Sequence, residues 1–211
     1  MILVMDTETT GLPLFGKPSE DPGQPHLVQL AVAVIDPADW SEQFAQSWII
    51  KPDGWAISPE LVAIHGITTE RAETEGEPLV DVIREFWKIA GRCDLGVAYN
   101  GSFDRKILRI ASLRADMERE EIEAAEASLP MVDPCRIATP IVNLPPTEKM
   151  LKAGFKKAKT AKLTEAYRHF FGEDFDGAHD AMNDVRATVQ VLRRLVELGK
   201  VPALEARRAA A

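Results

Sequence analysis

Apolar and polar positions follow two rhythms along this chain, and the switch between them divides it. Ile2 to Asp6 begins as an unbroken apolar run and stops at an acid, the pattern of a short strand buried on both faces. Thr9-Thr10-Gly11 opens a loop rich in Pro, Gly and charge that runs to about Pro25. Leu27 to Ile35 and Glu42 to Ile50 then read as two further strands, stopped by Asp36-Pro37 and Lys51-Pro52. Three strands this close, joined by short connections, predict an antiparallel meander.

The rhythm changes after Trp55. Ser58 to Ile64 and Thr68 to Glu75 predict short helices around His65-Gly66-Ile67. Leu79, Val82, Ile83, Phe86 and Trp87 recur at helical spacing and predict an amphipathic helix from Leu79 to Ala90. Leu95 to Tyr99 reads as a buried strand, and Ser102 as the N-cap of a helix over Phe103 to Arg114. Glu118 to Ala127 predicts another helix, Met131 to Asp133 a fifth strand, and Pro134 the start of a helix. In 139–162, Pro140, Pro145 and Pro146 break regular structure and six lysines follow, which predicts a loop or insertion. Leu163 to Phe171 and Ala181 to Leu198 read as helices. The tail over 199–211 reads as a short helix or a frayed end. The whole is an α/β pattern: a mixed sheet of about five strands with helices on its faces, in one domain over 1–198 without internal repeat.

Composition narrows this picture. With 45% hydrophobic and 27% charged residues, the chain has the balance of a soluble globular protein, and its 211 residues can bury a real core. A net charge of −8 weighs against tight, sequence-independent duplex binding, though an enzyme can hold nucleic acid briefly through metal ions. Cys93 and Cys135 are too few for a disulfide scaffold and read as reduced residues of a cytoplasmic protein. No apolar run approaches spanning length, so no membrane is expected.

The candidate chemistry lies in scattered acids: Asp6 and Glu8, Asp104, and Asp184 with His179 just upstream. Asp6 and Glu8 are spaced i, i+2 and leave one strand face together, at the carboxyl end where α/β sheets place ligands. Asp104 follows a buried strand; alone, it also fits a helix first turn, where an acid complements the dipole. His179 and Asp184 differ by about 140° around a helix, so sharing a site requires His179 to precede the helix and reach back. Gly177 permits the necessary turn, and Asp180 can cap the helix. Asp180 and Asp184, which do share a face, are the competing pair.

Val4-Met5-Asp6-Thr7-Glu8-Thr9-Thr10-Gly11-Leu12 resembles the first motif of the DEDDh exonucleases, the DnaQ-like 3′–5′ exonuclease family. Asn100-Gly101-Ser102-Phe103-Asp104 resembles the second, and His179-Asp180-Ala181-Met182-Asn183-Asp184 the third. His65-Gly66-Ile67-Thr68 resembles a further family segment. The chain departs at Tyr99, where many relatives have His. The resemblance implies a ribonuclease H-like fold and a hydrolase using two Mg²⁺ or Mn²⁺. In that reading Asp6, Glu8, Asp104 and Asp184 hold the metals and His179 is the general base. Thr7, Thr9 and Leu12 would contact the terminal nucleotide, with Ile64, His65 and Phe103 lining its base and sugar. Core packing is the competing account of Ile64 and Phe103, and capping of the turn before Thr68 that of His65.

The expected partner is single-stranded nucleic acid, DNA ahead of RNA, with release of nucleoside 5′-monophosphates. An exoribonuclease is the alternative within the family; a non-catalytic or proofreading subunit bound to a polymerase is the alternative of another class. The five site residues argue against a decayed site, and the short stretch after the last helix favours a stand-alone enzyme. Lys156, Lys157 and Lys159, within the run from Lys149 to Lys162, could track a phosphate backbone or form a solvated loop.

Overall fold

In this computed structural model the described residues are 1–202 and 204; the expectation for the tail lies, those first residues and Leu204 apart, outside them. Along the chain run β1 (Ile2–Thr9), β2 (Leu27–Ile35), β3 (Glu42–Ile49), α1 (Pro59–His65), α2 (Thr69–Glu75) and α3 (Leu79–Ala90). They are followed by β4 (Leu95–Val97), α4 (Ser102–Arg114), α5 (Arg119–Ser128), β5 (Met131–Val132), α6 (Pro134–Val142), α7 (Glu148–Lys152), α8 (Leu163–Phe171) and α9 (Ala181–Glu197). The strands form a mixed sheet in the order β3-β2-β1-β4-β5. β1 to β3 make the expected antiparallel meander, whereas β1 pairs with β4 in parallel.

The pleat of β1 sorts its side chains between two layers. Leu3 and Met5 join Phe86, Ile107 and Leu108, which come from α3 and α4. Ile2 and Val4 join Val185, Val191 and Leu192 of α9 on the other face. Both faces are therefore covered, which is why β1 and β2 carry nearly unbroken apolar runs. β4 reaches only as far as Val97 opposite Val4, so β1 runs on from Met5 to Thr9 with a strand neighbour on the β2 side alone. That overhang opens the sheet beside the acids of β1.

Three local expectations are corrected. Ser102 lies inside α4, behind Gly101, and makes no capping bond. The β4–α4 turn is held instead by Asn100 in the left-handed region (φ 65°), whose N–H donates to Asp133 Oδ1 at 2.9 Å. Asp133 also caps α6 by accepting from Cys135 N–H, so one carboxylate fixes two turns. Pro140 lies within α6 rather than ending it. The 139–162 segment is not wholly loop, because Thr147 caps the short α7 by accepting from Met150 N–H. Among the described residues no helix is long and apolar enough to cross a membrane. Cys93 and Cys135 are free and buried.

Candidate active site

β1 supplies the centre of the site. Asp6 and Glu8 continue the Ile2–Val4 face toward the layer that contains α9. Thr7 points to the other face, where its Oγ1 donates to Asp104 Oδ1 at 2.8 Å. Asp104 stands in the first turn of α4 and is buried. It thus comes from the opposite layer and reaches the acids of β1 beside the sheet opening. The parallel pairing of β1 and β4 makes this possible, since both strands point their carboxyl ends the same way.

The third motif has the geometry its spacing required. Gly177 (φ 69°) and His179 (φ 71°) are both left-handed and turn the chain back before α9. Asp180 caps α9, accepting from the N–H groups of Met182 and Asn183 at 3.1 Å each. The competing acid thus has a structural partner set. Asp184 is in the first turn of α9, and one of its oxygens lies 3.4 Å from the His179 N–H. Ligand atoms of Glu8, His179 and Asp184 lie within 4.8 Å of one another. Asp6 and Asp104 stand outside that trio but are close enough to raise its electrostatic cost.

The acids repel each other. Burial, then the charges of Asp104, Asp184, Glu8 and Asp180, holds the Asp6 carboxyl well above the usual carboxylate range. Burial and the charges of Asp184, Asp104 and Asp180 push Glu8 up to about 8. Burial lifts Asp104 to about 7 against the opposing hydrogen bond from Thr7, and Asp184 to about 6 against its bond from His179. A cluster of hard oxygen donors with unbalanced negative charge fits divalent cations such as Mg²⁺ or Mn²⁺.

The other anticipated contacts divide. Leu12 is 80% exposed and Ile64 51% exposed, so neither is a core residue. Phe103 is half-buried and packs on the α3–α4 core, as the competing account had it. His65 is buried, and its Nδ1 accepts from Ile67 N–H at 3.2 Å, the turn-capping role; its Nε2 is buried without a partner. Thr9 Oγ1 donates to Gly11 O at 2.7 Å. Lys156 and Lys157 are exposed, whereas Lys159 is paired with Glu165 at 2.5 Å.

A cleft of 390 Å³ opens beside His179 and Asp184, bounded by Tyr99, Asn100, Cys135 and the segment 160–164. Two of its supports have no counterpart among the expected site residues. Tyr99 hydroxyl lies 3.0 Å from Ala161 O and ties the 160–164 wall to the end of β4. Gln29, opposite Glu8 on β2, offers Oε1 to the Ala181 N–H at the start of α9, at 3.5 Å. A lone amide in the apolar run of β2 was the signal for Gln29.

The mixed sheet thus gathers four carboxylates and a histidine beside its opening, the arrangement that the DEDDh resemblance implies for a nuclease domain. The family model RNase_T, described as Exonuclease, matches residues 3–192, and the chain belongs to that family. A protein of Mycobacterium tuberculosis, provisionally named a bifunctional exonuclease/endonuclease, is 27% identical over 196 residues, 92% of this chain and 26% of that protein. Escherichia coli exonuclease I in complex with a dT13 oligonucleotide superimposes with a TM-score of 0.69 at 22% identity, over 98% of this chain and 42% of that one. A moderately thermophilic exonuclease I from Methylocaldum szegediense gives 0.68 at 23% identity, over 93% and 40%. The chain therefore spans about a quarter of the curated relative and about two fifths of these structures.

Proposed function

We propose that this protein is a 3′–5′ exonuclease that removes nucleoside 5′-monophosphates from single-stranded nucleic acid, DNA in preference to RNA. The observation that carries the reading is the convergence of Glu8, His179 and Asp184 within 4.8 Å beside the half-buried Asp6 and the buried Asp104. Asp6, Glu8, Asp104 and Asp184 would hold two Mg²⁺ or Mn²⁺. When bound, such ions supply positive charge at the scissile phosphate and make coordinated water more acidic.

The remaining work belongs to side chains. His179, on its turn before α9, takes the proton of the attacking water at a ring nitrogen. Thr7 aims the Asp104 carboxyl through its hydrogen bond and opposes the rise that burial imposes. Leu12 and Ile64 offer exposed apolar surface to a terminal base, which tolerates any base because each has an apolar face. The resemblance assigns His65, Thr9 and Phe103 to the same nucleotide, although the Nε2 of His65 is buried in this structure. Exonuclease I carries single-stranded oligonucleotide in the related fold, which supports DNA as substrate. The buried, unpaired cysteines support a reducing, cytoplasmic setting.

The deciding experiment uses 5′-labelled single-stranded DNA, duplex DNA and RNA with Mg²⁺, Mn²⁺ or chelator, and Asp184→Ala as control. A ladder shortening from the 3′ end of single-stranded DNA, abolished by chelation and by Asp184→Ala, is the expected result. Faster shortening of RNA would move the substrate to RNA. Intact DNA and RNA throughout would overturn the nuclease reading.

A further inference from the structure

The wall of the catalytic cleft is anchored, and what leaves it is not. Ala161 is buried; its carbonyl accepts from Tyr99 and its N–H donates to Thr139 Oγ1 at 3.1 Å. Lys159 is held by Glu165, which also accepts from the Lys162 N–H at 2.8 Å. Just upstream the character changes. Lys149, Lys152, Lys156 and Lys157 are exposed, and none makes an ion pair among the described residues. No acid interrupts residues 149–162, in a chain of net charge −8. On the same segment Leu151 and Phe155 are 53% and 64% exposed, so two large apolar side chains stand in water among four free cations.

Free lysines alone fit a solvated loop. Exposed aromatic and aliphatic groups between them do not, because a segment selected only for solubility has no use for them. Interleaved cations and an aromatic ring are what a single strand engages: phosphates pair with the ammonium groups, and an unstacked base lies on the ring. An acidic protein acting on a polyanion also needs local positive charge to offset its own repulsion.

We propose that residues 149–157 form a track for the part of a single-stranded nucleic acid lying 5′ of the cleaved bond, with Phe155 as a base platform. This rests on the 3′-end nuclease reading, since that polarity places the rest of the strand outside the cleft. Lys159 is excluded from the track because it braces the wall. A duplex offers no splayed base to Phe155, so the track favours single strands.

The test compares wild-type protein with Phe155→Ala and with the triple variant Lys152→Gln, Lys156→Gln, Lys157→Gln. Anisotropy of a labelled 13-nucleotide oligodeoxythymidine is read in Ca²⁺ across a salt series, and turnover of the 13-mer and of a dinucleotide is read in Mg²⁺. Phe155→Ala is expected to weaken 13-mer binding about tenfold. The triple variant is expected to flatten the log–log salt slope by about 2. Dinucleotide turnover should change by less than about twofold. Unchanged 13-mer affinity and slope, or equal losses on dinucleotide and 13-mer, would overturn the track. If the wild type binds the 13-mer through these residues and cuts nothing, the nuclease reading falls and the track falls with it as a substrate path, leaving 149–157 as a single-strand binding surface. No binding by the wild type sinks both.

Discussion

Thr7 spends its hydroxyl proton on Asp104, and that bond is the strongest of those that oppose the effect of burial on the acid. Without it Asp104 would lose the contact that most opposes its desolvation. Thr7→Val keeps the shape and removes the donor, leaving a buried carboxylate oxygen unpaired at a cost of about 1–3 kcal/mol. Metal affinity by calorimetric titration should fall with it, and Thr7→Ser should restore most of the loss. His179 sits differently: it is exposed on a left-handed turn, and in the proposed reading it moves a proton rather than holding an ion. His179→Ala should lower turnover by about 10²–10⁴ while metal titration stays near wild type. Asp6→Ala should abolish both. Equal loss of metal binding in the two variants would make His179 a ligand and not a base.

At the scale of elements, the site depends on a strand of three residues. Gly96, its middle residue, pairs with Leu3 on one side and Met131 on the other. A Cβ there would stand 2.2 Å from Met131 Sδ and 3.0 Å from Leu129 Cδ2. Gly96→Ala should therefore cost about 1–3 kcal/mol by overpacking and lower Tm by about 3–10 °C. Because β4 leads into the turn that aims Asp104, activity at fixed metal should drop too; an unchanged melting curve would show that β5 yields freely. The sequence made β1, β2, α3 and α9 legible, since burial imposes its period on long elements. It also placed His179 ahead of its helix, because a five-residue spacing leaves no other arrangement. The Ser102 cap misled because a serine at a helix start is a local preference, and here Asn100 and Asp133, thirty-three residues apart, settle the turn instead. The role of Tyr99 is likewise a long-range bond that no local pattern encodes, and the lone amide of β2 marks Gln29 without naming its distant partner.

For the molecule as a whole, the acid cluster sets a pH dependence. Glu8, Asp104 and Asp184 have folded-state values of about 8, 7 and 6, all above their ordinary ones. The folded protein thus binds these protons more tightly than the unfolded chain. Their contribution is complete below about pH 4 and drains away as pH climbs through the folded-state values. Metal-free protein should lose at least about 5 °C of Tm between about pH 5 and about pH 8. Mg²⁺ or Mn²⁺ should recover more at the upper end than at the lower, since fewer protons then compete. Asp6→Asn should flatten the metal-free profile and raise its upper end by about 3 °C. A profile that rises toward pH 8 without metal would contradict the mutual repulsion described for these acids.

The layering of β1 bears on the order in which the protein is made. Ile2 and Val4 leave the ribosome well before α9, which covers them and spans Ala181–Glu197. Asp6 and Asp184 are separated by nearly the same stretch. A nascent chain can form the β1–β2–β3 meander early, but one apolar face of that meander stays bare until α9 has emerged, the interval in which a chaperone would be needed most. A polypeptide abandoned before His179 carries three of the four acids and neither His179 nor Asp184, so the proposed site is incomplete in any such product.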